Sequence, residues 1–463
     1  MRLPLAVALF AVFAVTLWKT GDPLPASQNF EIAVYDRDPA HIWNRLYAAL
    51  LIREDRHGTQ YGADLLDPLL WLETEHLLEE PSHRHALQVL DEFLQTHAEN
   101  LIRDPVKRAL LQHDLWAVFD WSVQQYPGNK RPRYDKEKRE LQVRLAEVLR
   151  RLALTPKEIE TLPDNYAQAV VSGTFAKEYD PSDRERAFLP PDLLDPRGPW
   201  VCIQVSPEAT DSGGVAPQHL EAASGRSGFL VFVRLPGGRK ATRDYFQVLW
   251  NFPQPWVEGP TFATDQAQVN PDLPSFPAGT QVALVRRMTL FDNQGNLVTS
   301  PITESVQVRV YYAITTTAER FSAGSVAEVA KNSGQDFYEV RLRRPLLFAN
   351  KEGGLRAVGR DEMELSTFAQ MGDDLIEEIS RGPELKKTVR PVLQTCLWCH
   401  SGGGVRSLNS RSSLLKPNRL QKEPRDVAYG PLYWNDGAAV GWKQNHSDWG
   451  LLNGYWRASS NSH

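Results

Sequence analysis

The strongest chemical signal in this 463-residue chain is a short run, Cys396-Leu397-Trp398-Cys399-His400. Two thiols separated by two residues can each form a thioether with a haem vinyl group, while the adjoining imidazole reaches the iron from one side. Three neighbouring residues then fix one cofactor. The chain holds only 3 cysteines and 11 histidines, so chance is a weak explanation for two thiols at this spacing with a histidine directly behind them. Two other chemistries use the same residue types. A closed zinc site takes four ligands, usually from a second cysteine pair, and the sequence has no second pair. A redox dithiol sits near a helix start behind a strand, whereas the residues leading into this motif, from Leu385 to Cys399, read as helical.

The segment from Val389 to His400 resembles the c-type cytochromes, specifically bacterial multidomain proteins that end in a cytochrome c-like domain. The resemblance implies one covalent haem c, with Cys396 and Cys399 as the attachment points and His400 as the proximal iron ligand. It also implies electron transfer to a redox partner protein, outside the cytoplasm. Gly402-Gly403-Gly404 is similar to the family's close turn behind the motif, where the chain bends around the porphyrin edge. Gly430-Pro431-Leu432 resembles the element that gives the proximal histidine a carbonyl partner in that family. One departure concerns the sixth ligand. No methionine follows Met371, so the position falls to His446, His463, Met363 or Met371, or stays open to water or substrate. His446 is favoured because it lies among Trp442, Trp449 and Trp456, which could cover a haem face. An open position would point instead to a peroxidase-like haem enzyme, and a third reading is a structural or ligand-binding envelope protein.

Composition narrows the setting. With 42% hydrophobic and 24% charged residues, the chain suits neither a multi-span membrane protein nor a disordered one. A net charge of -5 and the lack of a basic tract give no reason to expect a nucleic-acid partner. At the other end of the sequence, the uncharged run from Leu3 to Trp18 between Arg2 and Lys19 has the layout of a secretory h-region. Residues 1–26 are therefore expected to be a signal peptide or, left uncleaved, a membrane anchor, which places the protein in the periplasm or cell envelope. So few cysteines exclude a disulfide scaffold, and Cys202 within Val201–Val205 reads as a buried structural thiol.

The elements that must position the motif read as a multidomain α+β chain. Residues 27–180 form a helical domain: Leu141, Leu145, Val148, Leu149 and Leu152 recur at helical spacing, Asp104 precedes Pro105 as a cap, and Thr155-Pro156-Lys157-Glu158 is a capping box. A proline-rich linker from Pro181 to Pro199 ends it. Residues 197–347 read as an antiparallel β-sandwich-like domain. Its strands are Phe229–Val233 and Tyr245–Leu249 around Pro236-Gly237-Gly238, and Val282–Phe291 with Val306–Tyr311 beyond Asn293-Gln294-Gly295-Asn296. Residues 355–463 read as a small helical and loop-rich cytochrome c-like domain, with helices over Met363–Ile379 and Leu385–Cys399, in which Asp373-Asp374 and Glu377-Glu378 form a polar face. His76, His83, His85 and His97 fall on helix faces and caps. A phosphate-binding loop, a dinucleotide fingerprint and a nucleophile elbow are absent from the sequence.

Overall fold

The computed structural model describes residues 33–54, 60–62, 75–123, 134–203, 224–254, 256–257, 268–314, 334–360, 362–365, 389–393, 400, 404–405, 407 and 433–460. Cys396, Cys399, His463, Met371, the run Leu3–Trp18, Gly402-Gly403, Gly430–Leu432 and the two acidic pairs lie outside them. Among the described residues, no helix is long and apolar enough to cross a membrane.

Six helices precede the sheet: α1 (Ile42–Leu51), α2 (Ser82–Gln95), α3 (Pro105–Val123), α4 (Asp135–Leu152), α5 (Pro156–Glu160) and α6 (Asn165–Ser172). Their ends follow from local chemistry. Asp104 Oδ1 accepts from the Val106 amide at 2.9 Å, and the Thr155–Glu158 capping box forms in both directions, with Pro156 at the first helical position. In α4 the apolar stripe Leu141, Leu145, Val148, Leu149, Leu152 is buried against α2 and α3. Helix α3 is different, because every residue from Ala109 to Ser122 is buried. Its polar residues Gln112, His113, Asp114 and Asp120 thus need partners inside the protein.

One antiparallel sheet carries the rest, in the order β10-β9-β8-β7-β4-β3. Its strands are β3 (Val201–Ile203), β4 (Ser227–Arg234), β7 (Thr280–Phe291), β8 (Leu297–Tyr311), β9 (Gln335–Leu342) and β10 (Leu355–Ala357). Three separate two-stranded pairs complete the described strands: β1–β2 (Arg53–Glu54, Gln60–Tyr61), β5–β6 (Trp256–Val257, Gln268–Val269) and β11–β12 (Met363–Leu365, Val389–Pro391). The expected hairpin through Asn293–Asn296 joins β7 to β8, with Asp292 Oδ1 accepting from the Gln294 and Asn296 amides and Gly295 at φ 84°.

The two faces of the sheet are covered by different parts of the chain. On one face Leu230, Phe232, Ala283, Val285, Val306, Val308 and Val310 pack with Ile159, Tyr166, Ala169, Phe188 and Trp200. On the other, Val231, Val233, Val282 and Tyr311 pack with Phe246 and Leu249 of helix α7 (Gly238–Trp250), with Phe276 and with Val405. Among the described residues a helix and not a second sheet covers this face, so what is seen of the expected β-sandwich-like domain is one antiparallel sheet with helices on it. The misreading came from Tyr245–Leu249, an apolar run too short to fix its own period. Thr242, Phe246 and Leu249 recur at helical spacing and are buried, while Val248 between them is 56% exposed. They belong to α7.

Two further expectations change near the motif. Met363–Leu365 and Val389–Pro391 are paired strands, where helices were expected over Met363–Ile379 and Leu385–Cys399. Pro391 disfavours the helical region at Arg390, which is extended in β12. The described parts of 355–463 also do not gather apart from the rest. Strand β10 extends the sheet beside α8 (Arg344–Phe348), while helix α9 (Tyr433–Gln444) packs on β4 and α10 (Ser447–Ser460) packs on α3 and α4. Trp449 and Leu452 of α10 join the helical core with Trp116 and Phe119.

Candidate functional site

His400 is held at the end of the sheet where β8 finishes and β9 begins. Its carbonyl accepts from Gln335 Nε2 at 2.6 Å and from Ser407 Oγ at 2.7 Å. The same Ser407 hydroxyl accepts from Arg309 Nη1 at 2.7 Å and from the Tyr311 hydroxyl at 2.8 Å. Ser407 is therefore saturated, with one hydrogen donated and two accepted. Gln335 and Ser407 are fully buried, and so is Tyr311. A short segment is thus clamped to the sheet through side chains of two neighbouring strands.

The imidazole is oriented by the same residue. His400 Nδ1 lies 2.9 Å from the Ser407 carbonyl, an acceptor that offers no proton, so Nδ1 carries the hydrogen. That contact fixes the tautomer and the direction of the ring. Metal-ligating histidines almost always give their other N–H to such a partner, which sets the tautomer and the ring direction. Gly430–Leu432, which the sequence suggested for this role, lies outside the described residues; among those described, the carbonyl at Nδ1 is that of Ser407.

Between His400 and Ser407 the backbone is fixed from beneath. Val405 is buried with Val231, Val282 and Tyr311, and its amide donates to Ser275 Oγ at 3.3 Å. Gly404 has φ 57°, and a Cβ there would collide with Ser275 Oγ. Ahead of the motif, Val392 and Leu393 pack with Phe337 and Val358, and the Val392 amide donates to the Glu362 carbonyl at 2.8 Å. Glu362 is itself paired with Arg356 at 2.6 Å, and that hydrogen bond holds its carboxyl below the usual glutamate range. Both flanks of Cys396 and Cys399 are therefore anchored on one sheet face.

Arg309 was not singled out from the sequence. It sits between Val308 and Val310, and such alternation reads as a strand with one polar face in water. That face is covered. The Arg309 side chain is only 7% exposed, its neighbours being Tyr311 and Ser407.

The other predicted residues lie elsewhere. His446 is exposed and stacks on Trp442, with ring centroids 3.5 Å apart. Trp442 packs on Gly225, just before β4 begins at Ser227, whose partner on β7 is Met288. Gln335, which holds His400, is in register through Tyr311 with Thr280. Along β7 those positions differ by eight residues (288 − 280), about 26 Å at a rise of ~3.3 Å per residue. The structure does not bring His446 to His400, since metal–imidazole bonds are only about 2 Å long. Met363 is closer by backbone pairing: it lies opposite Pro391, a few residues before Cys396. Cys202 on β3 is half-buried, and His83 is buried with Nδ1 2.9 Å from the Leu77 carbonyl. Among the described residues, no group of three or more His, Cys, Asp or Glu side chains could hold a metal ion.

A second buried polar cluster lies near the Gly225 end of the sheet. Lys443 of α9 pairs with Asp120 of α3 at 2.5 Å and with Asp448 of α10 at 3.0 Å, and Arg226 reaches the same Asp120 oxygen at 2.5 Å. Alongside, His113 Nε2 is 3.1 Å from Glu304, which also pairs with Arg286 at 2.7 Å. Burial pushes the Asp120 carboxyl up, against the pull of Lys443 and Arg226.

Comparison with known protein families, with curated proteins and with solved structures finds no match.

Proposed function

We propose that the protein is an exported c-type haem protein acting in electron transfer, with one haem c attached at Cys396 and Cys399 and ligated by His400. The observation that carries this reading is the hydrogen bond from His400 Nδ1 to the Ser407 carbonyl, which orients the ring of the residue that closes the C-x-x-C-H motif as metal-ligating histidines are oriented. The donor set suits the group: two thiols add across two vinyl groups, sulfur to one carbon and hydrogen to the other, with no net oxidation. When bound, the haem supplies a one-electron iron couple. Ser407 orients the imidazole, and Ser407 and Gln335 hold the His400 carbonyl, with the Tyr311 hydroxyl bonded to that of Ser407. Such rigidity suits electron transfer, where the ligand geometry changes little between oxidation states.

A second reading is favoured by the separation of His446 from His400. An iron with an open sixth position would bind exogenous ligands, as a peroxidase-like haem enzyme does. The N-terminal run Leu3–Trp18 supports export, because the c-type cytochromes that this motif resembles receive their haem outside the cytoplasm.

The test is the absorption spectrum of purified protein, with a denaturing pyridine assay, after expression beside haem-attachment machinery. A c-type spectrum that survives acid–acetone extraction is the expected result, and haem-free protein would overturn the reading. Rapid cyanide or peroxide binding would select the enzyme, and its absence the electron carrier.

A further inference from the structure

Arg309 is an electrostatic anomaly. A guanidinium stays charged at any pH that a folded protein meets, and a buried charge is normally paired with an opposite one. Arg309 is 93% buried (7% exposed), yet among the described residues no carboxylate lies within ion-pair distance of it. Its hydrogen bonds go to two hydroxyls, Tyr311 at 2.9 Å and Ser407 at 2.7 Å, both through Nη1, and its guanidinium carbon lies 5.9 Å from the centroid of the Tyr311 ring. Nearby acids on the sheet are engaged with other cations: Asp336 with Arg184, and Glu339 with Arg341. Hydroxyl dipoles hold the guanidinium in place without neutralising it.

We infer that Arg309 is the anion-pairing residue of the His400 site and takes a carboxylate there. The planar fork of a guanidinium matches a carboxylate bidentately. One residue, Ser407, joins it to the imidazole: the hydroxyl receives Arg309, and the carbonyl receives His400 Nδ1. This rests on the haem reading for its preferred source, because a haem held by His400 would carry two propionate carboxylates. The other source of the same chemistry is a free small carboxylate. In either case the central sheet forms part of the cofactor or ligand site rather than a separate docking module.

The two sources are separated by testing the full chain in two forms. In haem-loaded protein, the pairing keeps the propionate ionised, so the midpoint potential is expected to be flat between about pH 5 and pH 8. An unpaired buried carboxylate titrates in that range, because burial raises its pKa by as much as ~3–5 units. Arg309→Met should therefore introduce a proton-coupled slope and Arg309→Lys should restore flatness, whereas a pH profile unchanged by Arg309→Met overturns the propionate assignment. In haem-free Cys396→Ser/Cys399→Ser protein, sodium propionate is expected to raise the thermal midpoint above that in sodium chloride at equal ionic strength. That gain should vanish with Arg309→Met. If the wild type attaches no haem, this second arm alone decides: propionate-dependent stabilisation keeps a free-carboxylate site, and equal midpoints in the two salts remove it.

Discussion

The sheet buries charge at both of its ends, and the two ends are built on opposite principles. Near Gly225, two cations, Arg226 and Lys443, meet two carboxylates, Asp120 and Asp448, while Arg286 meets Glu304. That cluster joins α3, β4 and the α9–α10 junction, and its formal charges cancel. Near His400, one cation, Arg309, is held by the hydroxyls of Tyr311 and Ser407, with no carboxylate within ion-pair distance of it among the described residues. A balanced interior network is complete as it stands and fastens elements together. An unbalanced one is complete only with a ligand, and that contrast separates structural burial from a binding site.

The largest effect is expected from unbalancing the first cluster. Lys443→Met leaves Asp120 and Asp448 facing Arg226 alone, and breaking a buried pair costs about 3–5 kcal/mol, read as a lower urea midpoint. The loss should depend on pH. Asp120 already has a raised pKa, and removal of Lys443 raises it further, so the charged form is the unfavourable one in the fold. A group whose pKa is raised by folding supports stability while it is protonated and withdraws that support as pH rises through its folded value. The deficit of Lys443→Met should accordingly shrink in acid; a deficit that grows there would break the assignment.

At the other end, the matching change should do much less. Arg309→Met removes an uncompensated cation, so in haem-free protein its unfolding free energy should move by less than about 1 kcal/mol, since removing buried charge with its partners absent is often neutral. A loss as large as that of Lys443→Met would erase the distinction between the two ends. Gly404→Ala tests the backbone of the same segment: the positive φ and the Ser275 contact should cost ~1–3 kcal/mol, seen as faster hydrogen exchange at Val405 and Ser407.

The smallest effect concerns the approach to the motif. Glu362 has a lowered pKa because Arg356 donates to it, so this pair supports the fold above the ordinary glutamate value of 4.5 and the support fades as pH falls through the lowered folded value. The pair is partly exposed, and Glu362→Gln should cost at most ~1 kcal/mol at neutral pH. Its cost should disappear in acid, as measured by the thermal midpoint.

Much of this frame was legible in the sequence where local chemistry decides. The cap at Asp104, the capping box at Thr155–Glu158, the stripe of α4 and the turn at Asn293–Asn296 each rest on residues within one or two turns of chain. What was illegible depends on residues far apart. Tyr245–Leu249 became helical because Thr242, Phe246 and Leu249 together match the apolar face of the sheet, and neither neighbour is visible from the run itself. Arg309 looked solvent-facing because alternation shows which residues share a face and not what covers it. For the same reason His446, grouped with the tryptophans by sequence, proved to be exposed and stacked on Trp442, away from the neighbourhood of His400.

The most direct measurement of the central claim is the intact mass of the denatured full-length protein, produced in a host able to attach haem. The account predicts a mass increased by one haem, and an unmodified mass for Cys396→Ser/Cys399→Ser. An unmodified wild-type mass from that host would contradict it.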